Sequence, residues 1–116
     1  MVNGHTYGLN AGKTYADVNA YTGGWDALNT SRVFVVNGQY DPWRDATYAS
    51  DFRPEGKLHS TSSAKAAVIP GAFHCTDLIS ENGVVNNGTL HVQNQQIKQV
   101  GKWVDEYYVK YGRSTS

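Results

Sequence analysis

The sequence predicts an α/β fold, and three observations predict it. Two short apolar runs, Val33-Phe34-Val35-Val36 and Ala66-Ala67-Val68-Ile69, are each bounded by turn residues. A helix-start signal, Asp41-Pro42, lies between them. A long amphipathic pattern closes the chain. Two strands separated by a helix are expected to lie side by side and parallel in one sheet.

The elements follow in order. Residues 1–30 are a lead-in rich in Gly, Asn, Thr and Tyr, with a short helix expected from Thr14 to Tyr21 and ended by Gly23-Gly24. Residues 31–116 form the α/β segment. Arg32 to Gly38 is β-branched and aromatic without alternation, which predicts a strand buried on both faces. Asp41 suits an N-cap and Pro42 the first helical position, so a helix is expected to run on toward Ser50. Residues 53–64 are polar, with Pro, Gly and Ser, and read as a loop. Ala66 to Gly71 is the second buried strand, leading into Ala72-Phe73-His74-Cys75-Thr76-Asp77-Leu78. Residues 80–89 contain Asn-Gly twice and read as a turn-rich loop. From Leu90 to Tyr111, apolar residues at Ile97, Val100, Trp103, Val104, Tyr107, Tyr108 and Tyr111 recur at helical spacing, and Gly112 is the stop signal.

Length and composition bound the function. The 116 residues allow one domain at most, and ten Lys plus Arg balance ten Asp plus Glu. That balance gives no basic excess to attract nucleic acid or an anionic membrane surface. No apolar run approaches the roughly 18–20 residues of a membrane span, and the N-terminus has no signal-peptide core. Asn29-Thr30-Ser31 and Asn87-Gly88-Thr89 are N-glycosylation acceptors, which have meaning only in a secretory protein. Eight Tyr and three Trp suit loops and site walls as much as cores. The apolar content is modest for a self-sufficient core. The single cysteine, Cys75, has no internal disulfide mate.

Asp41 and His74 are the candidate catalytic residues. Each follows a strand, and functional groups of open α/β sheets lie just beyond the carboxyl ends of strands. Neighbouring strands are about 4.8 Å apart, so the two side chains are expected to meet. Taken singly, Asp41 is explained as a helix cap and His74 as a loop histidine bonded to backbone. Taken together, an acid after one strand and a His after the next is the order in which α/β-hydrolases end, after their nucleophilic Ser. The His takes the proton of the Ser hydroxyl, and the carboxylate fixes the ring tautomer and stabilises the imidazolium. The Ser itself is missing: no G-x-S-x-G elbow occurs, and none of the eight serines follows a strand and opens a helix. Cys75 is a poor substitute, because adjacent side chains diverge from His74. His5, His59, His74 and His91 show no metal-ligand spacing, and Gly23-Gly24 lacks the Lys-Ser/Thr of a phosphate loop. No cofactor or metal is expected.

Two motifs carry a resemblance. V-N-G-Q-Y-D-P-W-R, residues 36–44, and I-P-G-A-F-H-C-T-D-L, residues 69–78, stand 33 residues apart between Asp41 and His74. With Tyr21-Thr22-Gly23-Gly24 and the closing helix bearing Gln95, Gln96, Ile97 and Trp103, they resemble the serine peptidase family that contains prolyl carboxypeptidase and dipeptidyl peptidase II. The flavour is that of its fungal extracellular members. The resemblance implies the last two parallel strands and flanking helices of an α/β-hydrolase fold, with an incomplete sheet. It implies a secreted, lysosomal or vacuolar parent enzyme that cleaves peptides next to proline. By motif, Asp41 orients the base, His74 is the base, Asp77 is structural, and Trp43 helps wall the substrate site. Because the nucleophile, oxyanion hole and cap domain are absent, the chain alone is expected to be inactive, and its first strand to show an open edge. The competing reading is a non-catalytic secreted module that binds peptide or sugar through its Tyr and Trp side chains.

Overall fold

The computed structural model describes residues 12–26 and 30–112. The chain divides into two compact units with the boundary after Thr30. In the first, α1 (Tyr15–Thr22) is the short helix that the sequence predicts. Thr14 and Asp17 form a capping box: the Thr14 hydroxyl accepts from Ala16 N–H, and the Asp17 carboxylate accepts from Thr14 N–H. Gly23 ends the helix at φ 88°, a conformation open to glycine without steric cost. Tyr15, Val18 and Tyr21 of α1 are exposed.

The second unit is built on a two-stranded parallel sheet of β1 (Val33–Gly38) and β2 (Ala64–Ile69). The register runs from Val33 opposite Ala64 to Gly38 opposite Ile69. After β2 come a short helix α2 (Asn82–Val85) and the 25-residue helix α3 (Asn87–Tyr111). Ile69, Ala72 and Val92 form the core, with Val36 and Ala67 packed against it. Both strands therefore hand their carboxyl ends to a common, well-packed rim.

Three expectations need correction. The region after Asp41-Pro42 makes only one 3-10 turn, Arg44–Ala46. Asp41 does accept from Trp43 N–H at 2.9 Å, as a cap would. The helix then stops because the Thr47 hydroxyl lies 2.8 Å from both Arg44 O and Asn37 Oδ1, and Thr47 turns extended at φ −118°. Such side-chain bonds compete with helix continuation. Residues 80–89 are not a loop. They hold α2 and the first turn of α3, whose N-cap Asn86 accepts from Thr89 N–H at 2.9 Å.

The strands are not buried on both faces either. Val33 to Val36 are half-buried, and only Asn37 and Gly38 of β1 are fully inside. Two strands cannot shield each other as the interior of a wide sheet does. The closing helix forms as its periodicity predicts, ending at Gly112. Trp103 is buried, and its indole N–H donates to Ser62 O at 3.4 Å. Ile97, Val100, Val104, Tyr107, Tyr108 and Tyr111 remain exposed. Twenty-five helical residues extend about 37 Å, while a six-residue strand extends about 20 Å. The helix overshoots the sheet on which it lies. Among the described residues, no helix is long and apolar enough to cross a membrane.

Candidate active site

Beyond the strand ends, the two loops are stitched together through their backbones. Gln39 N–H donates to Ile69 O at 2.9 Å, Tyr40 N–H to Ala72 O at 2.9 Å, and Gly71 N–H to the Gln39 side-chain oxygen at 2.9 Å. The Tyr40 and Phe73 rings meet with centroids 5.8 Å apart. Gly38 makes this approach possible. A Cβ there would stand 2.2 Å from Phe73 O and 2.5 Å from Ala72 O, inside any tolerable contact. Only a residue without a side chain lets the second loop cross over the end of β1.

This stitching brings Asp41 and His74 together. His74 Nδ1 lies 3.1 Å from Asp41 Oδ2. An ionised carboxylate only accepts, so Nδ1 carries the proton and donates. In the neutral ring Nε2 is then the basic nitrogen, and it makes no hydrogen bond with any described residue. The Asp41 side chain is only 3% exposed, whereas that of His74 is 56% exposed. The acid is sheltered and the base is presented outward.

Asp41 is held by more than His74. Asn37 Nδ2 donates to Oδ2 at 3.1 Å, and Trp43 N–H donates to Oδ1 at 2.9 Å. Asn37 is itself oriented by the Thr47 hydroxyl, which donates to its Oδ1 at 2.8 Å. Burial raises the carboxyl pKa. The hydrogen bonds from His74, Trp43 N–H and Asn37, with the His74 charge, outweigh burial and hold it below the ordinary 3.8. A carboxylate with a depressed folded pKa contributes stability above its unfolded value, and that contribution is lost as pH falls through the folded value. Urea unfolding is accordingly expected to show a stability loss on acidification below about pH 4 that is smaller in Asp41→Asn than in the unsubstituted chain. Equal acid dependence in both proteins would show that Asp41 is not so held.

The His loop is fixed from three sides. The Thr76 hydroxyl accepts from Phe73 N–H and donates to Phe73 O, each at 3.0 Å. Cys75 takes the left-handed conformation, φ 55°, which is uncommon for a residue with a Cβ and recurs at functional sites. Two glutamines of α3 complete the anchorage: Gln93 donates to Asp77 O and Ile79 O, and Gln96 donates to the Asp77 carboxylate at 2.9 Å. Asp77 thus ties the loop to the helix.

The remaining candidates fall elsewhere. The Trp43 indole is exposed, and its link to the pair is its backbone N–H. Asn87 is exposed as the first residue of α3, while Thr89 of the same acceptor sequence is buried. Asn29 lies outside the described residues. Cys75 is an exposed free thiol. The sequence places Asn37 and Gln96 within the resembling segments without a role for either, and Thr47 and Gln93 go unmarked there. A hint existed for Asn37, since Asn is depleted in strands and here sits inside one.

Chemically, the arrangement is an oriented imidazole on a sheltered carboxylate at the rim of a parallel sheet. No family model matches the chain. The serine protease vicPb of Bipolaris victoriae is 36% identical over 109 residues, covering 94% of this chain and 20% of that protein. The serine protease vicPa of the same fungus is 33% identical over 97 residues, covering 84% of this chain and 18% of its own length. A Caenorhabditis elegans protein with a serine-protease name is 41% identical over 61 residues, 52% of this chain and 10% of its own. The chain spans about one fifth of the length of the two fungal relatives. It is similar to part of a serine protease.

Proposed function

We propose that this chain is the segment of a serine exopeptidase that supplies the general base and its orienting carboxylate. The observation that carries the proposal is the 3.1 Å contact between His74 Nδ1 and the sheltered Asp41 Oδ2. In this reading Nε2 removes the proton of a Ser hydroxyl contributed by the rest of the polypeptide and later returns it to the leaving amine. Asp41 stays ionised throughout, fixing the ring and stabilising the imidazolium. Its depressed pKa suits that role, because protonation would remove the acceptor for Nδ1–H.

The finer assignment rests on the motifs V-N-G-Q-Y-D-P-W and I-P-G-A-F-H-C-T-D-L. These favour the prolyl carboxypeptidase and dipeptidyl peptidase II type, an α/β-hydrolase acting on peptides next to proline. The parent enzyme is secreted or vacuolar in this reading, in keeping with the acceptor sequences at Asn29 and Asn87. Alone, the chain has no activated serine and does not turn over peptide.

A graft tests the proposal. The matched segment of the Bipolaris victoriae protease vicPb is replaced by this chain, and hydrolysis of proline-containing peptides is measured beside labelling by a serine-directed fluorophosphonate. The graft is expected to hydrolyse and to label, and the isolated chain to do neither. A soluble graft that labels but never turns over any peptide would defeat the catalytic reading, as would clean labelling of the isolated chain.

A further inference from the structure

Each oxygen of the Asp41 carboxylate has a donor besides His74. Oδ2 faces His74 Nδ1 at 3.1 Å and also Asn37 Nδ2 at 3.1 Å. Oδ1 faces Trp43 N–H at 2.9 Å. Asn37 and Trp43 belong to the same stretch of chain as Asp41. The carboxylate is therefore set by its own strand and loop, and the His loop meets an acceptor already in place. An acceptor fixed in advance needs no reorganisation when charge develops on the ring.

The Trp43 contact comes from backbone, whatever side chain stands there. Among the described residues, Asn37 is the one side chain besides His74 that bonds Asp41. Its amide has one workable sense. An ionised carboxylate only accepts, so Nδ2 points to Asp41 and Oδ1 points away. On that far side Oδ1 meets the Thr47 hydroxyl at 2.8 Å. The hydroxyl has one proton and two acceptors at 2.8 Å, Asn37 Oδ1 and Arg44 O, and it accepts from Ala49 N–H at 3.2 Å. A hydroxyl proton aimed at Oδ1 favours the sense that Asp41 needs. Packing does not call for an asparagine here. Val36 packs on the core, so by strand alternation Asn37 points to the opposite face of β1, yet it is only 7% exposed. A buried amide is costly unless its ends are bonded. Both ends are bonded, and one of them bonds the acid.

We infer that Asn37 is a positioning residue that holds Asp41 Oδ2 where His74 Nδ1–H can reach it, and that Thr47 acts through Asn37 by fixing the sense of its amide. Its effect on turnover rests on the serine-peptidase reading; its geometry does not. Without the Asn37 donor, Oδ2 is held by His74 alone, and the carboxylate is free to turn about its Cβ–Cγ bond. Electrostatics point the same way. Burial raises the Asp41 carboxyl pKa, and the hydrogen bonds from His74, Trp43 N–H and Asn37 outweigh it. Among the described residues, His74 is the one charged group that acts on Asp41.

The test has two arms. In the chain, the Asp41 carboxyl is titrated by carbon-13 NMR and the His74 Nδ1–H resonance is recorded. Asn37→Ala is expected to raise the Asp41 pKa and to broaden the Nδ1–H resonance. Thr47→Val is expected to do both to a smaller extent, and Thr47→Ser, which keeps the hydroxyl, to match the unsubstituted chain. In the vicPb graft described above, Asn37→Ala is expected to lower kcat about 10- to 100-fold with KM unchanged, the range that follows removal of a group orienting a metal-bound histidine. Asn37→Asp, close to Asn in size, is expected to lose more than Asn37→Ala, because it sets a second carboxylate against Oδ2. A role in packing alone predicts the reverse order. An Asn37→Ala chain with unchanged Asp41 titration and Nδ1–H resonance overturns the inference. So does a Thr47→Ser chain as perturbed as Thr47→Val, or a graft in which the loss falls on KM. If the Asn37 variants do not fold, the two Thr47 variants, which lie outside β1, decide the matter. An inactive unsubstituted graft overturns the catalytic reading, and the titration of the chain then decides the positioning role alone.

Discussion

His74→Ala in the grafted protease is expected to lower turnover about a millionfold, because loss of the base costs about as much as loss of the nucleophile in a serine-peptidase triad. Asp41→Asn is expected to cost about ten-thousandfold, since the ring persists but its preferred tautomer changes. The two losses are not additive, because the residues act as one unit. The structure gives the reason for the order. Nε2 of His74 is the group presented outward, whereas Asp41 works only through Nδ1. Single-turnover kinetics on a proline-containing peptide measure both effects. A grafted His74→Ala enzyme that retained a tenth of its turnover would show that this histidine is not the base.

Gly38→Ala is expected to destabilise the chain by about 3 kcal/mol, near the upper end of ordinary overpacking. The new Cβ would meet two backbone carbonyl oxygens, those of Ala72 and Phe73, at 2.5 and 2.2 Å. Backbone cannot rotate aside as the end of a long side chain can, so the His loop must lift. Lifting it breaks the Tyr40 to Ala72 hydrogen bond and draws His74 away from Asp41. Urea unfolding reads the stability loss, and the imidazole Nδ1–H resonance reads the lost contact. A variant with unchanged unfolding midpoint and an intact His74 resonance would show that the loop does not cross Gly38 as described.

The contrast between the two strand-end loops shows what local sequence can carry. Asp41 was legible as a cap because Asp-Pro is a local signal, and it does accept from Trp43 N–H. The helix expected behind it failed because Thr47 is claimed by Asn37, a residue ten positions earlier on β1. Nothing in the local spacing announces that bond. In the same way the Asn-Gly pairs after residue 80 read as turns, yet Asn86 caps a helix there. Gln93 and Gln96 read as the polar face of a helix, whereas they anchor the His loop through Asp77.

The amphipathic pattern of α3 was legible as a helix but not in its packing. Periodicity reports which residues share a face, and it is silent on whether a partner covers that face. Here Trp103 is covered while Val100, Val104 and Tyr107 are not.

By itself the sequence determined the two strands, the closing helix, the balanced charge, and the placement of an acid and a histidine after successive strands. These rest on side-chain volume, β-branching and short-range backbone preference, which act within a few residues. The tertiary structure alone decided that the Asp41 carboxylate lies beneath a presented His74 and that Gly38 is the crossing point. Those outcomes depend on hydrogen bonds between groups up to 33 residues apart. Such bonds form only once β1 and β2 have set their register.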